Sequence, residues 1–108
     1  MTIKKEDNPW SEGVVLICTK CSKSISAKDL REEGNTAENL KMFLKRSFKE
    51  SGDLSKIRIV TSSCIDVCID DYQALTYAGT QGDTETYIVH PEKDREELLG
   101  YLRQKIKR

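Results

Sequence analysis

The sequence predicts an α/β fold with a central mixed β-sheet of about four strands flanked by helices, in the order β-α-β-β-β-α. Short runs rich in β-branched residues alternate with two longer segments in which apolar residues recur every three or four positions. Turn residues that include two glycines separate the last two strand-like runs. The chain has 108 residues, which suffices for one domain with one modest core.

The first strand is predicted at the apolar run Val14-Val15-Leu16-Ile17. Its lack of alternation favours a central strand that is buried on both faces. Residues 1–12, before it, are predicted to be a loose N-terminal arm, and residues 13–108 to form the single domain. Cys18 and Cys21 follow the strand directly, and a long polar loop is expected over residues 22–35.

A helix is predicted after this loop. Asn35 and Glu38 have the spacing of a capping box at its start, and Ser51-Gly52 are expected to end it. Its apolar residues share one face, because they are separated by three or four positions. They are Ala37, Leu40, Phe43, Leu44 and Phe48.

The second half of the chain predicts three strands and a helix. A strand over residues 56–61 leads to Cys64 and Cys68. Strands over residues 73–78 and 84–89 are expected to form a hairpin. His90-Pro91 is expected to open the last helix, with His90 as a cap or surface residue. The core face of that helix is predicted to be Leu98, Leu99, Leu102 and Ile106.

The predicted order brings the two cysteine pairs together. A β-α-β unit has a right-handed crossover that makes its two strands parallel. Parallel neighbours end at the same edge of the sheet, which is also where ligands collect in open α/β sheets. Cys18, Cys21, Cys64 and Cys68 are therefore expected at one edge, and four convergent thiolates are typical of a metal or iron–sulfur site.

Composition argues against several other classes of protein. Lys plus Arg and Asp plus Glu both number 18, so the formal net charge is zero, which disfavours nucleic acid as a partner. No apolar stretch approaches the length of a signal peptide or a membrane span. A cytoplasmic location and no membrane partner are therefore expected, and in that reducing compartment paired cysteines favour metal ligands or catalytic thiols over structural disulfides.

The order of these features resembles the thioredoxin-like [2Fe-2S] ferredoxin family, whose fold also occurs in a subunit of respiratory complex I. A strand leads to Cys18, a helix and a strand lead to the Cys-x3-Cys pair Cys64 and Cys68, and a hairpin then precedes a helix introduced by Pro91-Glu92. The resemblance covers residues 14–106. The spacing of Cys18 and Cys21 departs from the family, in which the first two cysteines are usually farther apart.

The resemblance implies a thioredoxin-like sheet and one [2Fe-2S] cluster on Cys18, Cys21, Cys64 and Cys68. It also implies one-electron exchange with a redox partner protein, and commonly a homodimer. In this interpretation the chain is an electron carrier, not an enzyme.

Two alternatives remain open from the residues themselves. Four thiolates would also hold zinc in a closed tetrahedral site, or copper(I). A Cys-x2-Cys pair after the first strand could instead perform thiol–disulfide exchange. Against the exchange reaction, Cys18-Thr19-Lys20-Cys21 lacks the surroundings of a thioredoxin motif. The cis-proline that thioredoxins have just before the third strand also has no candidate, because Pro9 and Pro91 are the only prolines.

Overall fold

The computed structural model describes residues 3–7, 9–19, 36–62 and 72–106. In these ranges the predicted order β-α-β-β-β-α is confirmed, as is the α/β fold with a four-stranded mixed sheet and two helices. The elements are β1 (Gly13–Cys18), α1 (Thr36–Ser51), β2 (Ile57–Ser62), β3 (Gln73–Gly79), β4 (Thr84–Val89) and α2 (Arg95–Ile106). None of the helices in these ranges is long and apolar enough to span a bilayer.

The sheet has the strand order β2-β1-β3-β4. β1 is parallel to β2 and antiparallel to β3, and β3 and β4 form the predicted antiparallel hairpin. The central position predicted for β1 is confirmed. Its burial on both faces is not, because Val15 and Ile17 are fully buried whereas Val14 and Leu16 are only half-buried. Side chains alternate between the faces of a strand, so one face of β1 is better covered than the other.

Both helices pack on the same face of the sheet. The core residues of β1, β2 and β3 occupy alternate positions that share one face, and they form one cluster with the buried residues of α1 and α2. Cys18 and Ala74 are also buried, but the same alternation places them on the other face. At the two sides of this face, Thr61 of β2 donates a hydrogen bond to Glu38 of α1 (3.3 Å), and Tyr87 of β4 stacks on Tyr101 of α2 (6.1 Å between ring centroids).

The helices also touch each other. The Arg95 guanidinium of α2 lies 4.7 Å from the centre of the Phe43 ring of α1. All four residues predicted as the core face of α2 are buried, and of the five predicted for α1 only Phe43 is half-buried. The helical periodicity in the sequence therefore identified the packing faces correctly.

Helix α1 ends as predicted at a glycine in the left-handed conformation. Gly52 has a φ of 79°, its N–H bonds the Lys49 carbonyl (3.2 Å), and the Asp53 N–H bonds the Phe48 carbonyl (2.8 Å). This pair of bonds is the Schellman motif, which satisfies carbonyls at the end of a helix. The predicted cap at Asn35 lies outside the described residues.

We expect Gly52→Ala to lower the free energy of unfolding by about 1 kcal/mol, because a side chain disfavours positive φ. The space around Gly52 is open, so backbone strain alone would act. Gly100→Ala in α2 is the matched control. The space around Gly100 is also open, but its helical φ suits alanine. We therefore expect Gly100→Ala to raise the free energy of unfolding by about 0.5–1 kcal/mol. Urea unfolding of both variants checks the opposite signs, and equal changes would contradict this account.

Helix α2 begins later than predicted. His90-Pro91 do not open it; residues 90–94 form a turn, in which the Asp94 N–H bonds the His90 carbonyl (3.1 Å). The Asp94 carboxylate accepts a hydrogen bond from the His90 N–H (2.7 Å). The Nδ1 atom of His90 accepts from the N–H groups of Glu92 (3.2 Å) and Lys93 (3.1 Å). These side chains satisfy the backbone donors of the turn, so the helix starts only at Arg95.

An ion pair joins α2 to β4. The Lys105 ammonium lies 2.7 Å from the Glu85 carboxylate, to which the Tyr87 hydroxyl also donates. The bond from Lys105, followed by that from Tyr87, lowers the pKa of Glu85 below its ordinary value. Burial, followed by the nearby Glu85 carboxylate, raises the pKa of Tyr87. Both pKa directions therefore favour an ionised Glu85 beside a protonated Tyr87.

We expect Glu85→Gln to destabilise the protein at neutral pH and to have no effect in strong acid. Because the pKa of Glu85 is lower in the folded than in the unfolded protein, its ionised form stabilises the fold at pH values above the unfolded pKa. This stabilisation is lost as the pH falls through the pKa of Glu85 in the folded protein. Urea unfolding at about pH 7 and about pH 2.5 measures the difference. Glu50→Gln is the control, since Glu50 is exposed and has no ion pair in the described ranges. A pH-independent effect of Glu85→Gln would contradict the prediction.

Candidate functional site

The two parallel strands end side by side, at the edge where the sequence predicts the cysteines. Cys18, the last residue of β1, is in register with Ser62, the last residue of β2. The N–H of Thr19 (2.8 Å) and its hydroxyl (3.0 Å) both donate to the Ser62 carbonyl. The two chain segments are therefore still bonded to each other one residue beyond Cys18.

The structure describes one of the four predicted ligands. Cys18 is fully buried. Cys21, Cys64 and Cys68 lie outside the described residues, as does the predicted loop over residues 22–35. In the ranges that are described, no three His, Cys, Asp or Glu side chains are grouped as metal ligands. The four-cysteine site therefore stays a prediction, whereas the adjacency of the strand ends that lead to it is observed.

Gln73 is a buried polar residue at this edge. It begins β3, its side chain is fully buried, and its Nε2 donates to the carbonyls of Cys18 and Ala74, the latter at 3.2 Å. Because both partners are carbonyl oxygens, the donating atom must be the nitrogen. The Oε1 atom is then a buried acceptor to which no described residue donates a hydrogen bond.

The sequence pattern predicts Gln73 only as the first residue of a strand. Gln73, Leu75 and Tyr77 occupy every second position of this strand. This spacing places the Gln73 side chain on the same face as two core residues, and it is the signal that would have identified Gln73. A glutamine on that face needs buried hydrogen-bond partners, and here they include the backbone of the first cysteine.

The start of helix α1 lies at the same edge. In a β-α-β unit the helix begins where the first strand ends, and the bond between Thr61 and Glu38 joins the first turn of α1 to the end of β2. Thr36, the first residue of α1, is 6 % exposed, and its buried hydroxyl has no partner among the described residues. The helix N-terminus carries partial positive charge, so it favours an anionic group at this edge.

His90 extends the edge beyond β4, since Val89 before it is in register with Gln73. His90, expected as a cap or surface residue of the last helix, is buried and caps the turn before α2, because two backbone N–H groups donate to its Nδ1. Because Nδ1 acts as an acceptor, the neutral imidazole carries its proton on Nε2. That Nε2 atom is buried and has no partner in the part of the chain that the structure describes.

The hydrogen-bonding chemistry of Gln73, Thr36 and His90 indicates which kinds of ligand atom they could contact. Thiolate and sulfide sulfurs accept hydrogen bonds, and the Thr36 hydroxyl and the His90 Nε2–H are buried donors without partners in the described ranges. Donors of these two kinds are chemically suited to a negatively charged sulfur. The Gln73 Oε1 does not fit a sulfur, because both atoms are acceptors; it fits an N–H group or a water.

Two surface clefts lie elsewhere on the described part of the molecule. The larger follows β2 beside Trp10 and Lys45, and the smaller lies between β4 and α2 at Tyr87 and Tyr101. Cys18 lines neither cleft. Comparisons with models of protein families, with curated proteins and with solved structures found no match for this chain.

Proposed function

We propose that this chain is a small electron-transfer protein of thioredoxin-like fold, holding one [2Fe-2S] cluster on Cys18, Cys21, Cys64 and Cys68. The observation that carries the proposal is the parallel register in which β1 ends at Cys18 beside Ser62 of β2. It brings the ends of the two strands that lead to the cysteine pairs together at one edge of one sheet, which supports a shared site. The partner would be another redox protein, and a homodimer is compatible with the resemblance.

The length of the connecting chain supports one shared site. Cys21 is three positions after Cys18, and Cys64 is two positions after Ser62. A residue spans at most about 3.6 Å, so these links reach no farther than about 11 Å and about 7 Å. Neighbouring strands are about 4.8 Å apart. Two close thiolate pairs also suit a two-iron cluster, in which each iron takes two protein ligands.

The surroundings of the edge support an anionic group there. The cluster would supply the one-electron redox chemistry. The chain's own contribution is to fix Cys18 through the bond from Gln73 to its carbonyl, and to offer the donors of Thr36 and His90. Hydrogen bonds toward the sulfurs raise the reduction potential, because they stabilise added negative charge.

The burial of Cys18 disfavours thiol–disulfide exchange through this residue. A thiolate that attacks a disulfide of another protein must be accessible, and Cys18 is fully buried. A ligand to a buried metal has no such requirement. Zinc uses the same thiolates and is distinguished from iron by the experiment below.

Anaerobic redox titration tests the proposed function. The purified protein should be red-brown, and dithionite should bleach it with the uptake of one electron per chain. Air oxidation should restore the colour while the cluster remains intact. A colourless protein that takes up no electron would contradict the proposal. Reduction of insulin disulfides by a metal-free protein would instead favour the thiol–disulfide alternative.

A further inference from the structure

The outer edge of β2 is open. β2 is the last strand on its side of the sheet. The carbonyls of Lys56 and Ser62 accept bonds from Gly13 and Thr19, so the even-numbered residues of this segment bond to β1. The N–H and C=O groups of the odd-numbered residues then point outward. These residues are Ile57, Ile59 and Thr61, and the backbone bonds of the described part of the chain leave their outward groups unpaired.

The larger surface cleft, of about 270 Å³, runs along this edge. Trp10 and Leu54 are among its apolar lining residues, while Lys41, Lys45 and Arg58 contribute three cations. The described lining contains no carboxylate. We call this cleft, with the open edge of β2, the β2 groove.

The cations of the β2 groove are available to a new partner. Lys45 and Arg58 are exposed and have no ion pair in the described ranges. Lys41 pairs with Glu38 at 3.2 Å, but both side chains are partly exposed, at 26 % and 44 %. Surface pairs of this kind contribute little, so Lys41 can exchange this carboxylate for another.

The spacing of the cations matches an extended peptide. Lys41 and Lys45 are one turn apart on α1, which is about 6 Å along the helix axis. Alternate residues of a strand point to the same side and are about 6.7 Å apart. Carboxylates at positions i and i+2 of an added strand therefore match the two lysines. Arg58 is on the other face of β2, because Ile57 and Ile59 face the core.

We infer that the β2 groove binds an extended acidic segment of a partner protein, which adds to the sheet as a strand. The main chain of the segment would bond the outward groups of Ile57, Ile59 and Thr61, and alternate carboxylates would contact Lys41 and Lys45. Strand addition gives affinity through the main chain and specificity through alternate side chains. This inference requires no cofactor, so it stands apart from the proposed function.

The test is a titration of the full chain, as purified, with the capped peptide Thr-Glu-Val-Glu-Val-Glu-Thr. Trp10 is the only tryptophan and lines the groove, so its fluorescence reports binding. We expect saturable binding that is weakened about three- to tenfold by Lys45→Ala. Arg46→Ala is the matched control, because Arg46 is the exposed neighbour on α1 that does not line the groove, and it should bind as the wild type does.

A second peptide separates strand addition from charge attraction alone. N-methylation of alternate peptide bonds keeps every carboxylate but removes the donors that face β2, so binding should fall by about tenfold or more. Equal binding of the two peptides, or an unchanged affinity of Lys45→Ala, would overturn the inference. A Trp10 signal that depends on protein concentration without peptide would also overturn it, since the groove would then hold a second copy of the chain.

Discussion

Phe48→Ala is expected to lower the free energy of unfolding by about 3–5 kcal/mol. Phe48 is fully buried on the face of α1 that packs against the sheet, and it belongs to the single core cluster. Its removal loses the transfer free energy of the ring and leaves a cavity that α1, fixed to β2 at one end by the bond between Glu38 and Thr61, closes only in part. Urea unfolding followed by Trp10 fluorescence measures the loss.

Met42→Ala is the matched control for Phe48→Ala. Met42 is in the same helix but is 64 % exposed, so a change within about 0.5 kcal/mol is expected. If both variants lost a similar amount of unfolding free energy, the substitutions would act on the formation of α1 and not on its packing against the sheet. A small loss in Phe48→Ala would show that α1 does not pack through this face. Either result would contradict the described core.

Cys64→Ser is expected to remove nearly all bound iron and the visible absorption. If the four thiolates hold the cluster, loss of one leaves one iron with an incomplete set of protein ligands. Serine is a poor replacement, because the soft thiolate is the preferred ligand of these metals. Iron analysis and the visible spectrum of the anaerobically purified variant measure the effect.

Ser63→Ala, next to Cys64 in the sequence, is the control for Cys64→Ser and should keep its iron. Circular dichroism should show the same secondary structure for both variants, because the described core contains neither residue. A Cys64→Ser protein that retains iron and colour would contradict the assignment of Cys64 as a ligand.

The strands were predictable because their signals are local. The apolar run before Cys18 and the glycine-containing turn between β3 and β4 set the strand bounds to within about one residue. The parallel pairing of β1 and β2 follows from the β-α-β connection, because a crossover through a helix returns the chain to the same end of the sheet. The strand bounds and this pairing together predict that the strand ends before the two cysteine pairs are adjacent.

The failed predictions involve side chains that bond to the backbone. The start of α2 was placed at His90-Pro91 because proline is common in the first turn of helices. His90 and Asp94 instead cap a separate turn, and helical signals do not reveal such tertiary bonds. The buried side chain of Gln73 beside Cys18 was missed for a related reason, since its partners are carbonyls of other residues.

The sequence could predict which residues are the candidate ligands, but not how the groups around them are arranged. The sequence identifies Cys18, Cys21, Cys64 and Cys68 by their spacing and by the strands that precede them. The donors around the edge come from elements that are distant in the chain, such as Thr36 and His90. Their position at this edge depends on the register of the whole sheet, so a local pattern could not show it.

The most direct test of the central claim is the iron and acid-labile sulfide content of the anaerobically purified protein. A [2Fe-2S] cluster on four cysteines predicts two irons and two sulfides per chain, with a red-brown colour. Stoichiometric zinc without sulfide and without colour would contradict the claim.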